Sequence, residues 1–117
     1  MPGFTPTITI EHREVGRRTV LTVQGEVDIA CSPQLRTAVD AAFDSGAQEL
    51  WIDLSATTFM DSSGLHVLMD AHHGAEALRR RLMIICPPGA VRRVFDITGL
   101  TRTLRVYDDR SGAQREA

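Results

Sequence analysis

Leu50-Trp51-Ile52-Asp53-Leu54, leading on to Phe59-Met60-Asp61-Ser62-Ser63-Gly64-Leu65, is the stretch that sets the architecture. Its first run is apolar and rich in strand formers, as a buried strand requires. Its second opens a helical pattern in which Leu65, Leu68, His72 and Ala75 recur on one side. A strand that feeds directly into a helix is the building unit of a parallel sheet. At the junction two hydroxyls stand beside a carboxylate, where a helix start offers unpaired N–H groups and a partial positive charge.

Upstream, Thr7-Ile8-Thr9-Ile10-Glu11-His12-Arg13 alternates like a half-buried strand. Val15-Gly16-Arg17 supplies a turn, and Thr19-Val20-Leu21-Thr22-Val23-Gln24-Gly25 reads as a second strand paired with the first in a hairpin. Ser32 as N-cap and Pro33 in the first helical position then start a helix. Leu35, Ala38, Val39, Ala42 and Phe43 form its apolar stripe, and Ser45-Gly46 stops it.

Downstream, the helix that begins near Leu65 ends at Arg79-Arg80-Arg81, cations that suit a helix C-terminus. Leu82-Met83-Ile84-Ile85-Cys86 is apolar throughout, as in a strand covered on both faces. After the break at Pro87-Pro88-Gly89, Val91, Val94, Phe95 and Thr98 outline a short third helix closed by Gly99. Thr103-Leu104-Arg105-Val106-Tyr107 reads as the last strand. The expectation is one α/β domain over residues 7–108, with a mixed, mostly parallel sheet and helices mainly on one face. Residues 1–6 and 109–117 are expected to be flexible ends.

Composition narrows the function. A chain of 117 residues holds one domain with a real core. The net charge of −2 gives no electrostatic footprint for nucleic acid or an anionic membrane. All 13 basic residues are arginine, so neither a Schiff-base lysine nor a P-loop lysine is available. Cys31 and Cys86 have no metal or redox spacing, and Cys86 reads as a buried core thiol. With no signal peptide and no long apolar segment, the expected location is cytoplasmic.

Two readings of Asp61-Ser62-Ser63-Gly64 stand side by side. One is helix capping, since Asp and Ser are both strong N-caps. The other is a regulated phosphate, which would add about −1.5 to −2 charge beside Asp61. A nucleophilic serine fails on context: there is no Gly-x-Ser-x-Gly elbow and no histidine placed as a base. His66, Asp70 and His73 share a helix face, yet nothing clearly completes a metal site, and no metal or other cofactor is expected. Arg92 and Arg93 suit either a partner contact or the exposed side of the third helix.

The motif Phe59-Met60-Asp61-Ser62-Ser63-Gly64-Leu65 is accompanied by Gly25-Glu26-Val27-Asp28 upstream. Downstream stands Val91-Arg92-Arg93-Val94-Phe95-Asp96-Ile97-Thr98-Gly99-Leu100. In order and spacing, from about Ile8 to Tyr107, the chain resembles the STAS family, and more narrowly the bacterial anti-sigma factor antagonists. The resemblance implies a STAS fold and a binding module rather than an enzyme. It implies partner switching. The unphosphorylated protein binds an anti-sigma factor serine kinase and frees a sigma factor, phosphorylation at Ser62 ends that binding, and a PPM-type serine phosphatase resets it.

By the same resemblance Asp28 lies near the phosphosite, Asp61 positions Ser62 or meets the kinase, Ser63 caps the second helix, and Gly64 admits a partner backbone. A monomer or weak dimer is expected. The alternative is a STAS scaffold or regulatory subunit, stressosome-like or transporter-associated, that does not act on a sigma factor. Moving a complex from 99:1 to 1:99 takes about 5.5 kcal/mol of differential affinity, so Ser62 is expected near the centre of any such interface.

Overall fold

The computed structural model describes residues 8–117. The chain runs through β1 (Ile8–Val15), β2 (Arg18–Val27), α1 (Ser32–Asp44), β3 (Glu49–Met60), α2 (Ser62–Ala77) and β4 (Arg81–Ile85). It continues through α3 (Ala90–Thr98), a 3-10 turn at Leu100–Arg102, β5 (Val106–Tyr107) and α4 (Arg110–Glu116). Residues 1–6, expected to be loose, and Thr7, expected to open the first strand, lie outside the described residues.

The sheet order is β1-β2-β3-β4-β5. β1 pairs antiparallel with β2, and Val15 opposes Arg18 across a tight turn in which Gly16 takes φ 62°, a conformation that favours glycine. The remaining neighbours are parallel, as the strand–helix alternation requires. This is the expected mixed, mostly parallel sheet.

Successive side chains of a strand point to opposite faces, so the apolar runs supply two cores. Leu21, Leu50, Ile52 and Ile84 are fully buried on the face covered by α1, α2 and α3. Each such residue contributes about 1.5–3 kcal/mol of transfer free energy. On the other face Val20, Trp51, Met83 and Ile85 form a smaller cluster with Ala113 of α4. Trp51 also donates its indole N–H to Glu49, and the Arg18 guanidinium lies 3.9 Å above its ring.

α4 corrects the expectation of a fraying tail after Asp108. The segment is polar, so no apolar stripe announces it; side-chain bonds hold it instead. Asp109 caps it by accepting from the Gly112 N–H at 2.7 Å, and Ala113 is completely buried. Arg110 reaches across to Asp53 Oδ2 at 2.7 Å and to the Thr22 hydroxyl at 3.1 Å. Burial pushes the Asp53 carboxyl up, yet hydrogen bonds from Ser55 and Arg110 outweigh it and leave Asp53 below its ordinary value.

Other expectations are adjusted in detail. β3 continues well past Leu54 to Met60, whereas β4 stops pairing with it at Asp53 opposite Ile85. β5 is only two residues long because Thr103 ends the 3-10 turn. The N-cap of α1 is Cys31 without a side-chain cap bond, and Ser32 is the first helical residue. Cys86 is buried as expected, and burial pushes its thiol up to about 11. Among the described residues no helix is long and apolar enough to cross a membrane.

Candidate functional site

The parallel register of β2 and β3 builds the site. Val27 opposes Met60 at the ends of the two strands, and the Asp61 N–H donates to the Val27 carbonyl at 3.1 Å. Asp28 and Asp61, distant in sequence, therefore leave adjacent strand ends side by side. β3 reaches this point because its last residues extend beyond its pairing with β4.

Asp61 is extended (φ −99°, ψ −173°) and is the N-cap of α2, so the cap falls on the carboxylate and not on Ser63. Its Oδ1 accepts from the Ser63 N–H at 2.9 Å and the Gly64 N–H at 3.4 Å. The Ser63 hydroxyl also donates to the same oxygen. That hydroxyl and, to a lesser degree, the two amides hold the Asp61 carboxyl below its ordinary value against the opposing effect of burial.

Ser62 differs from its neighbour. It is the first residue of α2, not a residue before it, and it is exposed. Its hydroxyl makes no hydrogen bond among the described residues, whereas that of Ser63 is committed to Asp61. Two adjacent serines thus present one free hydroxyl. Two of the first-turn N–H groups that could receive a phosphate, those of Ser63 and Gly64, are held by Asp61.

Asp28 organises its own loop. Its Oδ1 accepts from the N–H groups of Ala30 (3.0 Å) and Cys31 (3.2 Å). The buried Cys31 thiol donates to the Glu26 carbonyl at 3.1 Å from beneath. The loop carries Ile29 outward at 78% exposure, and Phe59 on β3 is 47% exposed. Sequence reasoning missed both apolar groups. The signal was an isolated isoleucine between Asp28 and Ala30, and a phenylalanine just before the helix cap.

Gly64 is buried, and its open side faces inward. A Cβ there would come within 2.8 Å of Met60 Cγ and of Val27 Cγ1. The close approach that this glycine permits is therefore that of α2 to this chain's own strands, not that of a partner backbone. On the outer face of α2, Asp70 is paired with Arg36 at 2.9 Å, and His66 and His73 are exposed. No group of three metal-ligating side chains forms among the described residues. Arg92 is turned inward, bonding the Cys86 carbonyl at 2.9 Å and Asp108 at 2.8 Å, while Arg93 is exposed.

Residues 9–113 match the STAS domain model, most of the chain and all of this site. The chain belongs to the STAS-domain family. This STAS domain is 27% identical over 100 residues to the anti-sigma-B factor antagonist of Listeria monocytogenes, covering 86% of this chain and 87% of that one. It superposes on the anti-sigma factor antagonist from Mycobacterium paratuberculosis with a TM-score of 0.87 at 28% identity, over 93% and 92% of the two chains. The unphosphorylated form of the anti-sigma factor antagonist SpoIIAA gives 0.76 at 26% identity, over 92% and 95%. The relative and both solved structures are named as anti-sigma factor antagonists.

Proposed function

We propose that this chain is an anti-sigma factor antagonist switched by phosphorylation at Ser62. Unphosphorylated, it binds an anti-sigma factor that is itself a serine kinase, and so releases a sigma factor. Phosphorylated, it lets the kinase go, and a PPM-type serine phosphatase restores it. ATP and Mg²⁺ belong to the kinase, so the chain works without a cofactor of its own, in the cytoplasm where transcription is controlled.

The observation that carries this reading is the free, exposed Ser62 hydroxyl at the start of α2 beside a neighbouring serine whose hydroxyl is tied to Asp61. The surroundings fit a docking surface. Exposed Ile29 supplies apolar contact, and Asp28 and Asp61 supply negative charge for a cationic partner. A phosphate on Ser62 would add about −1.5 to −2 charge between them. With the Ser63 and Gly64 amides already bonded to Asp61, that dianion lacks those donors, and burying it under a partner becomes costly. In this reading Asp61 shapes the site by capping α2, the Ser63 hydroxyl holds the Asp61 carboxylate, Asp28 meets the partner, and Gly64 sets the seat of α2 from below.

The test is to incubate the purified chain with ATP, Mg²⁺ and an anti-sigma serine kinase from the same organism, then map modification by mass spectrometry. The expected result is a single phosphate on Ser62, absent in Ser62→Ala. If each cognate kinase neither binds nor modifies the chain, the reading fails and a scaffold or transporter-associated role takes its place.

A further inference from the structure

β1 is the outer strand of the sheet, and among the described residues it pairs on one side only. From Glu11 to Val15 every residue is exposed. An edge of this length is a template for another strand, and charged side chains are the usual deterrent to such pairing. The charges here are of both signs in the order Glu11-His12-Arg13-Glu14, which makes their effect depend on register.

Consider the strand against a second copy of itself. In a regular antiparallel pair, opposed residues point their N–H and C=O groups the same way along the ladder. The numbers of two opposed residues of the same strand must then sum to an even value, so the two-fold axis passes through a residue and not between residues. Centred on Glu11, the pairing sets Glu11 against Glu11. Centred on Arg13, it sets Arg13 against Arg13. Directly opposed like charges destabilise a sheet. Centring on Ile10 or on Glu14 shortens the overlap, and the latter also opposes Glu14 to itself.

Centred on His12, no carboxylate faces a carboxylate and no arginine faces an arginine; the residue that faces itself is His12. Glu11 faces Arg13 of the second copy, and symmetry makes that pair twice. Thr9 faces Val15, whose side chain is 53% exposed in the single chain and becomes covered. Ile10 faces Glu14, and the overlap runs over residues 9–15, nearly all of β1. The charges that block other registers favour this one.

We propose that the chain forms a two-fold dimer by antiparallel pairing of β1 with β1 of a second copy, centred on His12, joining two five-stranded sheets into one. The occupant of this edge is a second copy because the pattern is complementary to itself. Strand-to-strand contact alone buries little area, which places the dimer at the weak end of protein interfaces. Ser62 belongs to α2 and not to the paired strand, so the dimer is tested separately from the switch proposed above.

The experiment is sedimentation velocity of the full chain from roughly 10 μM to 1 mM, where weak complexes populate. Wild type is expected to pass from monomer to dimer with rising concentration. Glu11→Arg sets Arg against Arg13, Arg13→Glu sets Glu against Glu11, and each is expected to remain monomeric. The double variant Glu11→Arg/Arg13→Glu restores opposite charges across the axis and is expected to recover the dimer. Circular dichroism melts check that each variant is folded, which the exposure of both positions favours. As a register test, His12→Cys is expected to oxidise to a covalent dimer and Arg13→Cys to do so far more slowly. A wild type that stays monomeric, a dimer unaffected by the single swaps, or a double variant that remains monomeric would overturn the proposal.

Discussion

Two glycines of α2 should respond in opposite directions to the same substitution. In Gly64→Ala the new methyl would lie 2.8 Å from both Met60 Cγ and Val27 Cγ1, closer than carbon atoms approach. Alanine in a helix gains up to about 1 kcal/mol over glycine through backbone entropy. Overpacking a filled site costs about 1–3 kcal/mol. Met60 can swing its thioether aside, but Val27 is β-branched and stiff, so strain should win by about 1–2 kcal/mol.

In Gly74→Ala the nearest atom is Phe43 Cε2 at 4.0 Å, an ordinary contact, and only the entropy gain remains. At about 2 cal/mol/K of unfolding entropy per residue, 1 kcal/mol moves the midpoint of a chain this size by about 4 °C. Thermal unfolding by circular dichroism should place Gly64→Ala about 4–8 °C below wild type and Gly74→Ala about 2–4 °C above it. Val27→Ala combined with Gly64→Ala should cost less than the sum of the singles, because the added methyl fills space that Val27 leaves. Equal stabilisation by the two glycine substitutions would refute the packing argument.

Other expectations follow from the cap and the C-terminal helix. Ser63→Ala should leave phosphorylation at Ser62 intact, read by mass spectrometry, since only the Ser63 hydroxyl is tied to Asp61. Asp61→Ala removes the N-cap of α2 and should cost about 1 kcal/mol in urea unfolding, with the loss largely absent in acid. The sign follows from the lowered Asp61 value: its contribution is present above the ordinary carboxylate range and lost as pH falls below it. Arg110→Ala removes the partner of buried Asp53 while exposing little else, and should cost about 1–2 kcal/mol near neutral pH. Without Arg110 the Asp53 value rises toward the unfolded one, so the deficit relative to wild type should be full above the ordinary carboxylate range and shrink as pH falls below it.

Much of the fold was legible because its apolar residues follow clear periods. The stripe of α1, the continuous run of β4 and the glycine stop of α3 at Gly99, which adopts φ 77°, all lie where the pattern puts them. What escaped the reading has few apolar residues. The end of β3 from Ser55 to Phe59 protrudes beyond β4 with mostly exposed side chains, so no alternation marks it as strand. α4 shows no stripe, because one alanine and the Arg110–Asp53 pair hold it.

At the site, Asp61 and Ser62 were legible as residue types at a strand–helix junction, and Asp28 only through the family resemblance. Their division of labour was not. Which side chain caps α2 depends on backbone geometry, and the inward face of Gly64 depends on where β2 and β3 end. Ile29 and Phe59 were missed because a lone apolar residue has no period to betray which way it points.

Partner switching rests on the difference that one phosphate at Ser62 makes to partner binding. Isothermal titration of the unphosphorylated and the Ser62-phosphorylated chain against the same anti-sigma kinase measures it directly. A switch moving between nearly full and nearly empty occupancy needs about a 10⁴-fold difference in affinity. Tight binding by the unphosphorylated chain is expected, with a loss approaching that factor on phosphorylation. Affinities within about tenfold of one another would correspond to no more than about 1.4 kcal/mol and would contradict it.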